Sequence, residues 1–192
     1  MDEVWPENVG GYTITDNIFE TEKSKVYSGY DQAGKRFAIK ESKNHSQLEN
    51  EFQLLTELDS SYIIKPINYL RIGDLSYIIF PNAQGGDLFD KLAQEGPFNE
   101  DYTRKVMREL FQAVDYLHSV GIIHRGITLE NILIFYQHGV ENYKLGGFSL
   151  AIKSPSSNER CGAAPYMCPE MIGNQQCMFL LYYFNLYIQS DH

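Results

Sequence analysis

The sequence predicts an α+β domain in two lobes, with strands first and helices second. Three observations carry this. Up to about residue 80 the apolar residues fall in short alternating or β-branched runs separated by turn residues. A Gly85-Gly86 pair then interrupts the pattern. Beyond it, Asn99–Val120 repeats its apolar residues at the spacing of an amphipathic helix.

Tyr12–Phe19, Lys25–Asp31 and Arg36–Ser42 alternate or carry β-branched and aromatic residues, which predicts strands. The turn Asp31-Gln32-Ala33-Gly34 joins the last two. Leu48, Phe52, Leu55 and Leu58 recur at helical spacing, so Ser46–Leu58 is predicted as a helix. Two short apolar runs, Ile67–Ile72 and Ser76–Phe80, flank the turn Gly73-Asp74. Asn99 can cap the long helix, Glu100 and Asp101 suit its positive end, and Gly121 can terminate it. Tyr102, Val106, Leu110, Val114 and Leu117 form its buried stripe.

Bulk properties exclude several function classes. A chain of 192 residues fits one domain, and 43% hydrophobic residues can bury a core. A formal charge of −9 without a basic tract repels phosphate backbones, so no nucleic-acid partner is expected. The acidic opening MDEVWPENVG has no apolar signal core, and an intracellular, cytoplasmic location is expected. Cys161, Cys168 and Cys177 form no paired spacing, which suits reduced thiols. Met178–Ile188 is apolar except for Asn185, but a bilayer needs about 20 residues, so no membrane association is expected.

The stretch YLHSVGIIHRGITLENILI closely resembles the catalytic loop of eukaryotic protein kinases, of the serine/threonine kinase type. His124, Arg125, Ile127 and Asn131 match the H-R-D-L-x-x-x-N pattern. Ala38-Ile39-Lys40 looks like the V-A-I-K strand, and Glu51 stands where the partner glutamate belongs. YIIFPNAQGGDLFDKL looks like the hinge and following helix, LGGFSLA sits where D-F-G belongs, and Cys168-Pro169-Glu170 resembles A-P-E. Six such matches in order are specific where one is not. The resemblance implies a five-stranded antiparallel sheet with one packed helix over residues 12–83, then an incomplete, mainly helical lobe over 84–172. It lapses over 173–192, an atypical apolar tail.

The resemblance implies an ATP site. Lys40 would reach the α- and β-phosphates and Glu51 would hold it. Val26, Ala38 and Leu133 match the residues that sandwich adenine, and Phe80 fits the gatekeeper. Ala83 would supply backbone contacts, and Asp87 a hydrogen bond to ribose. Core packing accounts for the apolar members equally well. The three glycine positions of the phosphate loop hold Phe19, Thr21 and Ser24. That segment reads as a plain hairpin, although Thr21 and Ser24 still carry donors.

The transfer machinery departs from the family. Gly126 stands at the catalytic aspartate, Thr128 at the lysine that touches the moving phosphate, and Gly147 at the metal-binding aspartate of D-F-G. Asn131 alone survives as a metal ligand, and magnesium needs several oxygens. Glu130 matches a family glutamate of another orientation. Leu55, His124 and Phe148 match the internal spine, and Arg125 can pair with a phosphate or acid between Ser149 and Glu170, where Ser154, Ser156 and Ser157 lie. These readings imply a pseudokinase that binds ATP weakly without metal and acts as a scaffold or allosteric module for a protein partner such as an active kinase. Two alternatives stay open: a slow serine/threonine kinase with unconventional residues, and a non-functional fragment.

Overall fold

Aromatic and β-branched residues at alternate positions build the first part of the chain into one antiparallel sheet. The structure is a computed structural model and describes residues 8–154, 156–157, 159, 161–162, 166 and 177–178. It divides into two units, Met1–Asp59 with Ile64–Asn82, and Ser60–Ile63 with Ala83–His192.

The first unit holds β1 (Asn8–Val9), β2 (Tyr12–Glu20), β3 (Lys25–Tyr30), β4 (Arg36–Ser42), β5 (Asn68–Ile72) and β6 (Leu75–Pro81), in the order β1-β2-β3-β4-β6-β5. The sheet thus has six strands where the sequence predicts five. The additional strand pairs Asn8 with Thr13 and Val9 with Tyr12 across Gly10-Gly11, whose φ values of 57° and 95° suit glycine. Two residues are too few to register as a periodic run, yet Val9 is buried in the core with Ile14, Tyr27, Phe37, Ile39, Tyr77 and Ile79. Helix α1 runs over His45–Glu57, one residue earlier than expected, because Asn44 accepts a capping bond from the Gln47 amide at 3.1 Å.

The second unit contains α2 (Leu88–Glu95), α3 (Glu100–Ser119), β7 (Ile122–Ile123), β8 (Ile132–Gln137), β9 (Val140–Leu145), β10 (Ile152–Lys153), β11 (Ser156–Ser157) and β12 (Cys177–Met178). Short 3₁₀ turns cover Leu129–Asn131 and Phe148–Leu150. β8 pairs with β9, β7 with β10 and β11 with β12, all antiparallel. Asn99 caps α3 through the Tyr102 amide at 2.9 Å, and Val106, Leu110, Ala113, Val114 and Leu117 are buried. Gly121 ends that helix at φ 78°. Among the described residues no helix is long and apolar enough to cross a membrane. Cys168-Pro169-Glu170 and the tail after Met178 lie outside the described residues.

Candidate functional site

Register in the first unit gathers residues that are far apart in sequence. Val26 pairs with Lys40 and Lys40 with Ile78, while Ser28 pairs with Ala38 and Ala38 with Phe80. Cross-strand partners share a face, so Val26, Ala38, Lys40 and Phe80 stand together. Phe37 and Ile39 alternate to the other face and enter the core. Helix α1 carries Glu51 on its buried stripe between Leu48 and Leu55. Lys40 Nζ donates to both Glu51 carboxylate oxygens, at 2.8 and 2.6 Å. The side chains are 13% and 3% exposed, so the pair is well shielded from solvent and holds the ammonium in one place.

The segment between β2 and β3 is closed on itself. Thr21 N–H donates to Ser24 O at 2.8 Å. Thr21 Oγ1 accepts from the amides of Lys23 (3.3 Å) and Ser24 (3.0 Å), and meets the Ser24 hydroxyl at 3.2 Å. Those amides, which a phosphate would recruit, already have partners within the turn. Phe19 is exposed on the preceding strand. The geometry is that of a plain hairpin.

In the second unit, residues 85–87 lie along β8. Gly85 N–H donates to Ile134 O, Ile134 N–H to Gly86 O, and Asp87 bridges Leu133. A side chain at Gly85 would sit 2.6 Å from Ile134 Cγ2, so the strand approach requires glycine. Ala83 O accepts from Gly86 N–H, which occupies one of the backbone groups expected to serve adenine. Asp87 Oδ1 accepts from Asp90 N–H at 2.8 Å and caps α2. Burial raises its carboxyl above the usual aspartate range. The residue expected at ribose is therefore first a helix cap. An aspartate immediately before the apolar Leu88-Phe89 pair is a cap signal legible in the sequence.

His124 holds the loop together. Gly126 N–H donates to its Nδ1 at 3.2 Å, so Nε2 carries the proton and donates to Gly146 O at 2.9 Å. Its ring meets Phe148 edge-to-face at 4.5 Å. Burial pushes the imidazole down to about 4, although the Gly146 carbonyl opposes this. Arg125 sits at φ 61° and donates through Nε to Leu150 O (2.7 Å) and through Nη1 to Ser157 Oγ (3.2 Å) and Glu159 (2.7 Å). The acid that Arg125 was expected to find is Glu159. Ser157 is buried against the same guanidinium.

The three degenerate positions differ in their surroundings. Gly126 would admit a Cβ in ordinary contact, nothing lying nearer than Gly147 O at 3.7 Å. Thr128 is buried and gives its carbonyl to Asn131 N–H at 3.1 Å. Gly147 has φ 72° and ends β9's passage into the Phe148 turn. A Cβ on it would lie 2.1 Å from Asn131 Oδ1. Asn131 Nδ2 donates to Gly126 O at 2.7 Å, and Asn131 O accepts from Gly146 N–H at 2.8 Å. Glu130 Oε2 is buried without a hydrogen-bond partner among the described residues.

Magnesium asks for near-octahedral oxygen ligation, usually with one or two carboxylates. The described residues hold no cluster of three His, Cys, Asp or Glu side chains suited to a metal. Asn131 offers one amide oxygen, packed against Gly147.

A strand lysine clasped by a helix glutamate, together with a His-Arg loop tied to a glycine turn through a neutral imidazole, defines a protein-kinase-like scaffold. The profile of the protein kinase domain matches residues 12–180, and the chain belongs to the protein kinase family. It is 32% identical over 168 residues to "Probable serine/threonine-protein kinase 2" of Plasmodium falciparum, covering 84% of this chain and 33% of that protein. It is 31% identical to serine/threonine-protein kinase kin-29 of Caenorhabditis elegans, over 67% of this chain and 16% of that protein. It is 29% identical to CBL-interacting serine/threonine-protein kinase 17 of Arabidopsis thaliana, over 87% of this chain and 41% of that protein. The chain therefore spans less than half the length of these relatives.

Proposed function

We propose that this protein is a pseudokinase: an intracellular kinase-family domain that binds ATP weakly without metal and serves as a scaffold or allosteric partner, for example of an active kinase. The observation that carries this reading is the pair Gly126 and Gly147, two glycines where phosphate transfer needs two carboxylates, on two segments that His124 and Asn131 tie together. Loss of a general base alone costs roughly 100- to 10,000-fold. Loss of metal removes several kcal/mol more of transition-state stabilisation. Applied to kinases that turn over at about 1–100 per second, either loss leaves little useful rate. The shielded Lys40–Glu51 pair supports retained nucleotide affinity. The self-bonded Thr21–Ser24 turn supports weak affinity, because its amides contribute little to phosphates.

A second reading, slow transfer to serine or threonine, draws on the names of the relatives and on the unpartnered Glu130 carboxylate oxygen. Radiolabelled ATP with generic protein substrates, in magnesium and in manganese, separates the two. The expected result is no transfer above background and no self-labelling. Reproducible transfer that Lys40→Ala abolishes favours the second reading, because a contaminating kinase is indifferent to that substitution.

A further inference from the structure

We infer that Asn131 bars a carboxylate from residue 147: its amide stands where the Cβ of any side chain there would have to go, so the position has been filled as well as stripped of its ligand. This deepens the metal-independence proposed above. It rests on that reading for the meaning of the position, and not for the packing.

The packing is specific. A Cβ built on Gly147 lies 2.1 Å from Asn131 Oδ1, 2.2 Å from Cγ and 2.5 Å from Nδ2. All three are far inside van der Waals contact, so even alanine requires the amide to leave. The amide is restrained. Its Nδ2 donates to Gly126 O at 2.7 Å, and the backbone of the same residue is held by Thr128 O at 3.1 Å and by Gly146 N–H at 2.8 Å. Swinging the side chain away breaks the bond to Gly126 O. Gly147 also sits at φ 72°, where an L-residue is strained whatever the space. The contrast with Gly126 is informative, since nothing lies within 3.7 Å of a Cβ at that position. The two glycines that replace family carboxylates are therefore not equivalent. A Cβ at 126 makes ordinary contacts, whereas one at 147 overlaps the Asn131 amide until that amide moves.

The test is a thermal-unfolding cycle on the full chain, without nucleotide or metal, comparing wild type, Gly147→Ala, Asn131→Ala and the double variant. Left-handed strain at 147 is common to both backgrounds and the overlap is not. Gly147→Ala is expected to lower Tm by more than about 5 °C in wild type and by less than half of that in Asn131→Ala. Equal losses in the two backgrounds mean that the amide swings aside freely, and they overturn the inference. Should Gly147→Ala fail to fold in wild type, a cooperative transition regained in the double variant supports the overlap, and failure to fold in both backgrounds overturns it. The readout does not involve ATP, so a failure here leaves the nucleotide reading standing, and loss of that reading leaves the packing intact.

Discussion

Cutting the Lys40–Glu51 pair from its two ends should give unequal losses, and the inequality follows from burial. Both oxygens of Glu51 accept from Lys40 Nζ, but Glu51 is 3% exposed and Lys40 13%. Lys40→Met strands a carboxylate on the stripe of α1 that also carries Leu48 and Leu55. Removing one partner of a buried pair costs about 3–5 kcal/mol, and this variant belongs in that range. Glu51→Gln keeps an acceptor oxygen at the same length, and the remaining ammonium has a flexible stem by which to reach water. Its cost is expected at ~1–2 kcal/mol. Lys40→Met combined with Glu51→Leu leaves neither charge behind and should return to within about 1–2 kcal/mol of wild type, since apolar replacements of buried pairs are often near neutral. Urea denaturation of the full chain followed by far-ultraviolet circular dichroism reads all four proteins on one scale. The reasoning is refuted if Glu51→Gln costs as much as Lys40→Met, or if the double variant is no more stable than Lys40→Met.

The second prediction concerns pH. His124 is held near 4, below the ordinary imidazole value of 6.5, so the unfolded chain binds the extra proton first. Stability from this residue is complete above about pH 6.5 and falls as pH drops toward 4, by roughly 3 kcal/mol in total. Urea midpoints measured from about pH 7 down to pH 5 should decline in wild type and flatten in His124→Gln; identical slopes would remove His124 as the cause. A further prediction concerns nucleotide: ATP should raise Tm by a similar small amount in magnesium and in chelator. A shift seen only with magnesium would point to a metal ligand outside the positions described, and no shift in either would leave a purely structural domain.

Much of this protein is local, and what is local can be read along the chain. The strand Arg36–Ser42 was placed at its observed bounds, because β-branched alternation is a property of adjacent residues. Asn99 was identifiable as a cap from its place before Glu100-Asp101 and the apolar stripe. The identities of Gly126, Thr128 and Gly147 are likewise linear facts once the flanking motif is aligned. Other features depend on separated segments meeting, and only the tertiary structure decided them. The sixth strand arises because Val9 finds the core formed by Tyr27, Phe37 and Ile79, not because two residues have a strand pattern. Val26, Ala38, Lys40 and Phe80 share a face through hydrogen-bond register, which no spacing in the sequence encodes. Asn131 and Gly147 are sixteen residues apart and carry no joint signal, yet their atoms compete for one volume. The sequence thus determined which chemical groups are present and which are missing. Whether a missing group leaves room, as at Gly126, or has been replaced by a neighbour, as at Gly147, is a matter of packing between distant segments.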